Sequence, residues 1–183
     1  MRHRTEPERL STKGSRDIRG VNAAELAIVV LLVGIMSAVA TPLVNNVIQR
    51  NRLNGAASKI ASDLRYAQSL AVSRGGLSRL VTATSVCSAV SGQTRYRIEQ
   101  STNGGTSWSW ITECYLLSSE FQGAALASLA GTGGAPAVTE VRFNSRGTCV
   151  NCTGSNPPLL ATITAAAGPK IVQVRTTGSV DIQ

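Results

Sequence analysis

Arg19-Gly20-Val21-Asn22-Ala23-Ala24-Glu25-Leu26 opens the stretch that decides the fold, because it leads into Ala23–Val44, a run of 22 residues whose only charge is Glu25. Coiled as an α-helix, such a run rises roughly 33 Å, the thickness of a bilayer core. A cleaved secretory signal would have a shorter apolar stretch with a small-residue cut after it, whereas here the helical pattern continues directly past Val44. Residues 1–20 are polar and aperiodic, with six basic side chains against three acidic ones. By the positive-inside rule they predict a cytoplasmic N-terminus, with everything after Val44 on the outer side.

From Asn45 to Arg74 the helix becomes amphipathic. Leu53, Ala57, Ile60, Leu64, Ala67 and Ala71 recur at steps of four and three, drawing one narrow apolar stripe, with Arg50, Arg52, Lys59, Asp63 and Arg65 off it. Gly75-Gly76 then supplies a stop, since glycine accepts the left-handed conformation that closes a helix. Beyond Gly76 the chain reads as short β segments at Leu80–Val86, Tyr96–Gln100, Trp108–Leu116, Val138–Phe143, Leu159–Thr164, Lys170–Arg175 and Val180–Ile182. Asn103-Gly104-Gly105 is a hairpin turn, and the Gly- and Ala-rich stretch from Gly123 to Pro136 is expected to be a loop. A small sheet needs a cover, and the apolar stripe of the helix is the available one. The expected fold is therefore α+β: one long N-terminal helix, half membrane-spanning and half amphipathic, packed on a small, mostly antiparallel β head.

The net charge of +8 on 183 residues invites a nucleic-acid or anionic-lipid reading, but its distribution tells against it. It divides into +3 on residues 1–20, −1 on the apolar run, +4 on residues 45–74 and only +2 on the head. Half of it thus lies just outside the membrane segment, where it can face anionic headgroups or neighbouring subunits. The single histidine, His3, lies in the basic N-terminal segment. No carboxylate pair stands at a telling spacing and no glycine-rich phosphate loop follows a strand, so neither an enzyme nor a cofactor is expected.

A carboxylate in a membrane helix costs about 2.5 to 3.5 kcal/mol at the centre and less near the interface. Glu25 therefore either snorkels to water or finds a partner, and a cut after Gly20 would create one, because the new amine of Val21 could meet the Glu25 of a neighbouring copy. Pro42 removes the backbone donor to the carbonyl of Ala38 and crowds that turn, a penalty near 3 kcal/mol in a helix interior. It predicts a bend or a melted turn, while Gly34 suits close approach of another helix.

The pattern resembles the type IV pilins and pseudopilins: a basic leader ending in Arg19-Gly20, Glu25 at the fifth position after the cut, a long apolar helix, and Pro42 twenty-two residues into the mature chain. Arg52-Leu53-Asn54-Gly55-Ala56-Ala57 through Leu64-Arg65-Tyr66-Ala67-Gln68-Ser69-Leu70-Ala71-Val72-Ser73-Arg74-Gly75 looks more narrowly like the GspH/FimT class of minor subunits. Val141-Arg142-Phe143-Asn144-Ser145-Arg146-Gly147 and Val172-Gln173-Val174-Arg175-Thr176-Thr177-Gly178 are similar to strand-and-turn segments late in that class. The resemblance implies a leader over residues 1–20, a transmembrane half-helix over 21–44, an amphipathic half over 45–75 and a periplasmic head over 76–183. It also implies cleavage between Gly20 and Val21 by a prepilin peptidase, N-methylation of Val21, and assembly through Glu25 and Pro42. Insertion in the inner membrane would then precede assembly with other major and minor subunits into a type II secretion pseudopilus or the tip of a type IV pilus. Val21 stands where the family usually has Phe, and Ala23-Ala24 replace bulkier apolar residues.

An outer, oxidising location makes disulfides the default for Cys87, Cys114, Cys149 and Cys152. Cys149-Val150-Asn151-Cys152 has no second C-x-x-C and no usable histidine to complete a metal site. Cys87 with Cys114 across neighbouring strands and Cys149 with Cys152 is the simplest of three connectivities. Trp108 and Trp110, two apart on a strand, are expected in the head core or at a protein interface rather than as a stacking platform for single-stranded nucleic acid. Some relatives in the class take up DNA, and the resemblance assigns that to a Gly-Arg-x-Arg pattern near the end of the head. Here the matching place reads Gly178-Ser179-Val180-Asp181, which leaves Arg142, Arg146, Lys170 and Arg175 as phosphate contacts for the DNA-binding alternative.

Overall fold

The computed structural model describes residues 22–83, 85–90, 93–131, 137–152 and 159–183. Helix α1 runs from Ala23 to Arg74, 52 residues, and its backbone is helical through Pro42, so that turn is not melted. It ends as the glycine pair predicts. Gly75 has a φ of +65°, and the Gly76 N–H donates back to the Ala71 carbonyl at 3.2 Å, the closing bond of a Schellman cap.

Two five-stranded antiparallel sheets follow, rather than the single small sheet that the sequence suggests. The first holds β1 (Leu77–Val81), β2 (Arg95–Ser101), β3 (Ser109–Trp110), β4 (Tyr115–Leu116) and, past the one-turn helix α2 (Leu117–Glu120), β7 (Glu140–Phe143). In it β1 is flanked by β2 and β7, with Leu80 opposite both Ile98 and Val141. The second runs in the order β10 (Val180–Ile182), β9 (Gly168–Val174), β8 (Leu159–Ala165), β5 (Ala125–Gly131), β6 (Ala137–Val138).

Both sheets share one core with the lower part of α1. Leu53, Ala57, Ile60, Leu64, Ala67 and Ala71 are all buried, together with Leu80, Tyr96, Ile98, Val141 and Phe143 of the first sheet and Leu126, Leu129, Leu159, Ile163, Val172 and Val174 of the second. Gly55 belongs to this packing as well, since a Cβ there would fall 2.5 Å from the ring of Phe121. Polar bonds pin the helix to both sheets. On the first sheet, the Tyr96 hydroxyl donates to Asp63 Oδ2 at 2.7 Å, and Ser78 donates to the Ala67 carbonyl. On the second, Arg65 Nη2 donates to the Val180 carbonyl at 2.8 Å and Lys170 Nζ to Asn54 Oδ1 at 2.7 Å. Between the sheets, Gln68 Nε2 donates to the Gly147 carbonyl at 2.8 Å, and the Cys149 N–H reaches the Thr176 carbonyl at 3.1 Å.

Three expectations about the strands fail, two of them for identifiable reasons. The stretch from Gly123, expected to be a loop, contains β5, a central strand of the second sheet, while its residues 132–136 lie outside the described set. A bulge between Leu126 and Ser128 sets two buried leucines three apart, which breaks the alternation by which a strand is read. Trp108–Leu116 is not one strand but two short pairings with β2, because the Thr112 side chain takes the Ile98 N–H at 2.9 Å in place of a backbone carbonyl. The first strand ends at Val81 instead of running to Val86.

Glycine is needed at 178 for two reasons that can be separated. Its φ is +88°, and a Cβ there would overlap the Gly147 carbonyl oxygen and crowd Gln68, whereas a Cβ at Gly75 would meet nothing within 4 Å. Gly75→Ala is expected to cost about 1 kcal/mol, the conformational strain alone. Gly178→Ala is expected to cost at least about twice that, as strain and overlap add. Urea denaturation of the two purified variants beside the parent measures both.

Burial, then the neighbouring Asp63 carboxylate, raise the pKa of the Tyr96 phenol above the ordinary tyrosine range. Because the folded state holds the neutral phenol, this stability is present below the unfolded value near pH 10 and is lost as pH rises beyond it. Tyr96→Phe is expected to cost about 1.5 kcal/mol at neutral pH and to flatten the fall in stability above about pH 10, as denaturation midpoints at a series of alkaline pH values would show.

Candidate functional site

The start of α1 is built by Asn22. Its carbonyl accepts the N–H groups of Glu25 at 2.8 Å and Leu26 at 3.1 Å, and its side-chain oxygen accepts the Ala24 N–H at 3.4 Å. Asn22 is thus the N-cap and Glu25 stands in the first turn, at the positive end of the helix dipole, which favours a carboxylate. Gly20 and Val21, the expected cleavage and methylation positions, lie outside the described residues.

Beyond Glu25 the helix is apolar and uncovered. Leu26, Ile28, Val30, Leu31, Ile35 and Met36 are exposed, Met36 to 73%. The one helix among the described residues that is long and apolar enough to cross a membrane is this one. Its hydroxyls need no outside partner, since Ser37 Oγ donates to the Val33 carbonyl at 2.8 Å and Thr41 Oγ1 to the Ser37 carbonyl at 2.9 Å. Both hydroxyls are thereby satisfied within the helix, as a hydrocarbon environment requires. Gly34 has nothing within 4 Å of a Cβ position. Exposed apolar side chains continue past Val44 to Val47 and Ile48.

In the head, Cys87 is bonded to Cys114 with Cα atoms 5.7 Å apart, and Cys149 to Cys152 with Cα atoms 5.3 Å apart. The first links two loops rather than adjacent strands. The second closes a short loop over the outer edge of β7, where Asn151 imitates a strand: its Oδ1 accepts the Arg142 N–H at 2.9 Å and its Nδ2 donates to the Glu140 carbonyl at 2.7 Å. The C-x-x-C spacing is thus an edge-closing device.

The four basic residues considered as phosphate contacts are dispersed. Arg142 pairs with Glu140, Lys170 donates to Asn54, and Arg175 lies 3.4 Å from Asp181, while Arg146 is exposed on the turn after β7. Arg142 belongs to the first sheet, and Lys170 to the second.

Sequence reading misses a cluster on the face of the first sheet away from the helix. Glu99, only 1% exposed, accepts from Arg79 Nε at 2.8 Å and Arg97 Nε at 2.8 Å, and Arg79 Nη1 reaches Glu140 at 2.6 Å. Trp108 lies 4.0 Å from the Arg79 guanidinium and 5.4 Å from that of Arg142, so it covers the cluster rather than filling the core. Trp110, opposite Glu99, is 60% exposed. The signal is present as charges two apart, in Arg95-x-Arg97-x-Glu99 and Glu140-x-Arg142, but their partners depend on strand register.

Among the described residues, no three His, Cys, Asp or Glu side chains converge as a metal site. The geometry describes a β head on an amphipathic half-helix, together with an apolar half-helix that presents its side chains outward.

One solved structure resembles the fold, and a second is similar at a lower score. The chain is similar in structure to the type IV minor pilin FimU of Pseudomonas aeruginosa, at 18% identity over 73% of this chain and 90% of that one, with a TM-score of 0.50. The minor pseudopilin EpsH from the Type 2 Secretion System of Vibrio cholerae is a further similar structure, at 14% identity over 72% of this chain and 96% of that one, with a TM-score of 0.48. No curated protein is similar enough in sequence to count as a relative. The family described as Type II transport protein GspH matches residues 56–179, more than half of the chain, and this protein belongs to that family of pilin-like minor pseudopilins.

Proposed function

We propose that the protein is an assembly subunit, made as a precursor, cut between Gly20 and Val21 by a prepilin peptidase, N-methylated at Val21, and held in the inner membrane by residues 21–44. Residues 45–75 then stand at the outer surface and residues 76–183 form a periplasmic head. The subunit leaves the membrane to join other minor and major subunits in a type II secretion pseudopilus or a type IV pilus, at the tip, where it helps to start the fibre. Its role is structural rather than catalytic.

One observation carries this reading: an apolar helical surface that continues to Ile48 is exposed and bears a single charge, Glu25, in its first turn. A bilayer covers such a surface while the subunit is stored, and the helices of neighbouring subunits cover it once assembled. Glu25 then supplies register, because an unpaired carboxylate is tolerated at the headgroup level but not among packed helices, where the Val21 amine of an adjacent subunit is its counter-charge. Pro42 and Gly34 tune the packing of the same helix against its neighbours.

DNA capture is the weaker reading. Arg142 and Arg175 pair with acids and Lys170 with Asn54, so binding phosphate at these positions requires breaking existing bonds.

Two measurements test the proposal. Mass spectrometry of the protein expressed beside an active prepilin peptidase is expected to find Val21 as the N-terminus with one added methyl group; an intact Met1 start in that host would sink the processing step. Glu25→Gln is expected to leave cleavage and membrane insertion intact while removing the subunit from sheared fibres, a loss of roughly 3 kcal/mol or more in assembly if the paired charge is buried. Immunoblots of the membrane and sheared fractions would show it, and equal incorporation of the variant refutes the charge-pairing step.

A further inference from the structure

The C-terminal end of α1 opens on a cleft of about 240 Å³, distinct from the apolar helix surface. Arg74 from the last helical turn, Gln100 and Ser101 from β2, Ser107 and Ser109 from the following arm, and Ile111 line it, and among the described residues no carboxylate does. Gln100 is only 5% exposed. Arg74 Nη1 donates to its Oε1 at 2.6 Å, which fixes the orientation of the amide, because the reverse would set N–H groups against one another. Its Nε2 is consequently a buried donor with no partner.

Ser107 adds to this bias. Asn103 Nδ2 donates to Ser107 Oγ at 2.7 Å, so the Ser107 proton is free to donate elsewhere. Ser101 Oγ is spent, donating to Asn103 Oδ1 at 2.7 Å and accepting the Gly105 N–H at 2.9 Å. Arg74 carries a full positive charge whose one side-chain hydrogen bond among the described residues is to the neutral amide of Gln100. A buried unpaired N–H beside an uncompensated guanidinium is complementary to a ligand that only accepts hydrogen bonds and carries negative charge.

We propose that this cleft binds a carboxylate group, held between the Arg74 guanidinium and the Gln100 amide. The two oxygens of a carboxylate match the planar fork of an arginine. Phosphate shares the acceptor chemistry, but the partial negative charge at the helix C-terminus opposes an anion in proportion to its charge, which favours the singly charged group. The same opposition makes the site dependent on Arg74. The carboxylate belongs either to a free acid or to an acidic side chain of a neighbouring subunit.

The test uses the full chain in detergent micelles at constant ionic strength, titrated separately with acetate, N-acetyl-glutamate amide and inorganic phosphate, while NMR follows the ¹⁵N-labelled Gln100 side-chain amide in the wild type and the backbone amides of Ser101 and Ser107 in the wild type and every variant. Both carboxylates are expected to move that signal saturably and phosphate more weakly; tighter binding of acetate points to a free acid, and tighter binding of the glutamate amide to a protein side chain. Arg74→Gln is expected to weaken binding roughly tenfold or more, with Arg74→Lys in between. Gln100→Glu supplies the carboxylate from within, and is expected to abolish binding without lowering the melting midpoint, which keeps the test independent of how Arg74→Gln folds. A wild-type Gln100 signal that does not saturate, an unchanged affinity in Gln100→Glu, or phosphate binding tighter than both carboxylates would each overturn the proposal.

Discussion

Burial of one narrow, small-residue stripe of α1 against two sheets at once is the constraint on which the head depends. Ala56, Ala57, Ala61, Ala67 and Ala71 are completely buried, and side chains this short let a helix lie close to a sheet surface. Close packing alone would tolerate a small slide or rotation of the helix. The polar bonds remove that freedom, because Asp63, Arg65, Ala67 and Gln68 each meet one specific group on a different strand or turn. Apolar burial thus supplies the attraction and buried hydrogen bonds supply the register, a division expected where leaving a donor unpaired costs more than a bond contributes.

Gln68 shows how the two sheets are made into one body. Its amide meets the Gly147 carbonyl, and Gly147 is in turn packed against Gly178. Those glycines end the two turns that follow β7 and β9, one from each sheet, and each has a positive φ. Val141-to-Gly147 and Val172-to-Gly178 look alike as sequence because each is a strand running into a tight turn; the structure adds that the turns touch one another. The nearby Cys149–Cys152 loop finishes the edge of β7 with a side chain where a further strand would otherwise pair.

What is legible in the sequence follows the range of the interactions. The helix from Ala23, its stripe and its glycine stop are local patterns with a period of three to four residues, and they are readable as such. Val141 and Phe143 are separable from Glu140 and Arg142 for the same reason, with a period of two. Ala125–Gly131 is not legible, because alanine is a poor strand former and the bulge shifts the phase of its leucines. The cleft beside Arg74 is equally hidden. Arg74 and Gln100 are 26 residues apart, and neither signals the other until β2 is paired with β1 at the end of the helix.

The charge that first suggests nucleic acid is largely consumed by the fold. Arg79 and Arg97 converge on Glu99, Arg142 and Arg79 on Glu140, and Trp108 stacks over Arg79, so three of the head's basic groups are committed to two acids. Freeing Arg79 or Arg97 for a phosphate would leave the nearly buried Glu99 carboxylate short of a partner, a loss that offsets whatever the new ion pair contributes. Lys59 is likewise engaged by Asp63 at 2.8 Å. The basic residues left near the apolar half of the helix are Arg50 and Arg52, just past Ile48, where its continuous run of exposed apolar side chains ends. Positive charge at such a boundary resists being pulled into hydrocarbon and is attracted to anionic headgroups, which suits a helix long and apolar enough to cross a membrane.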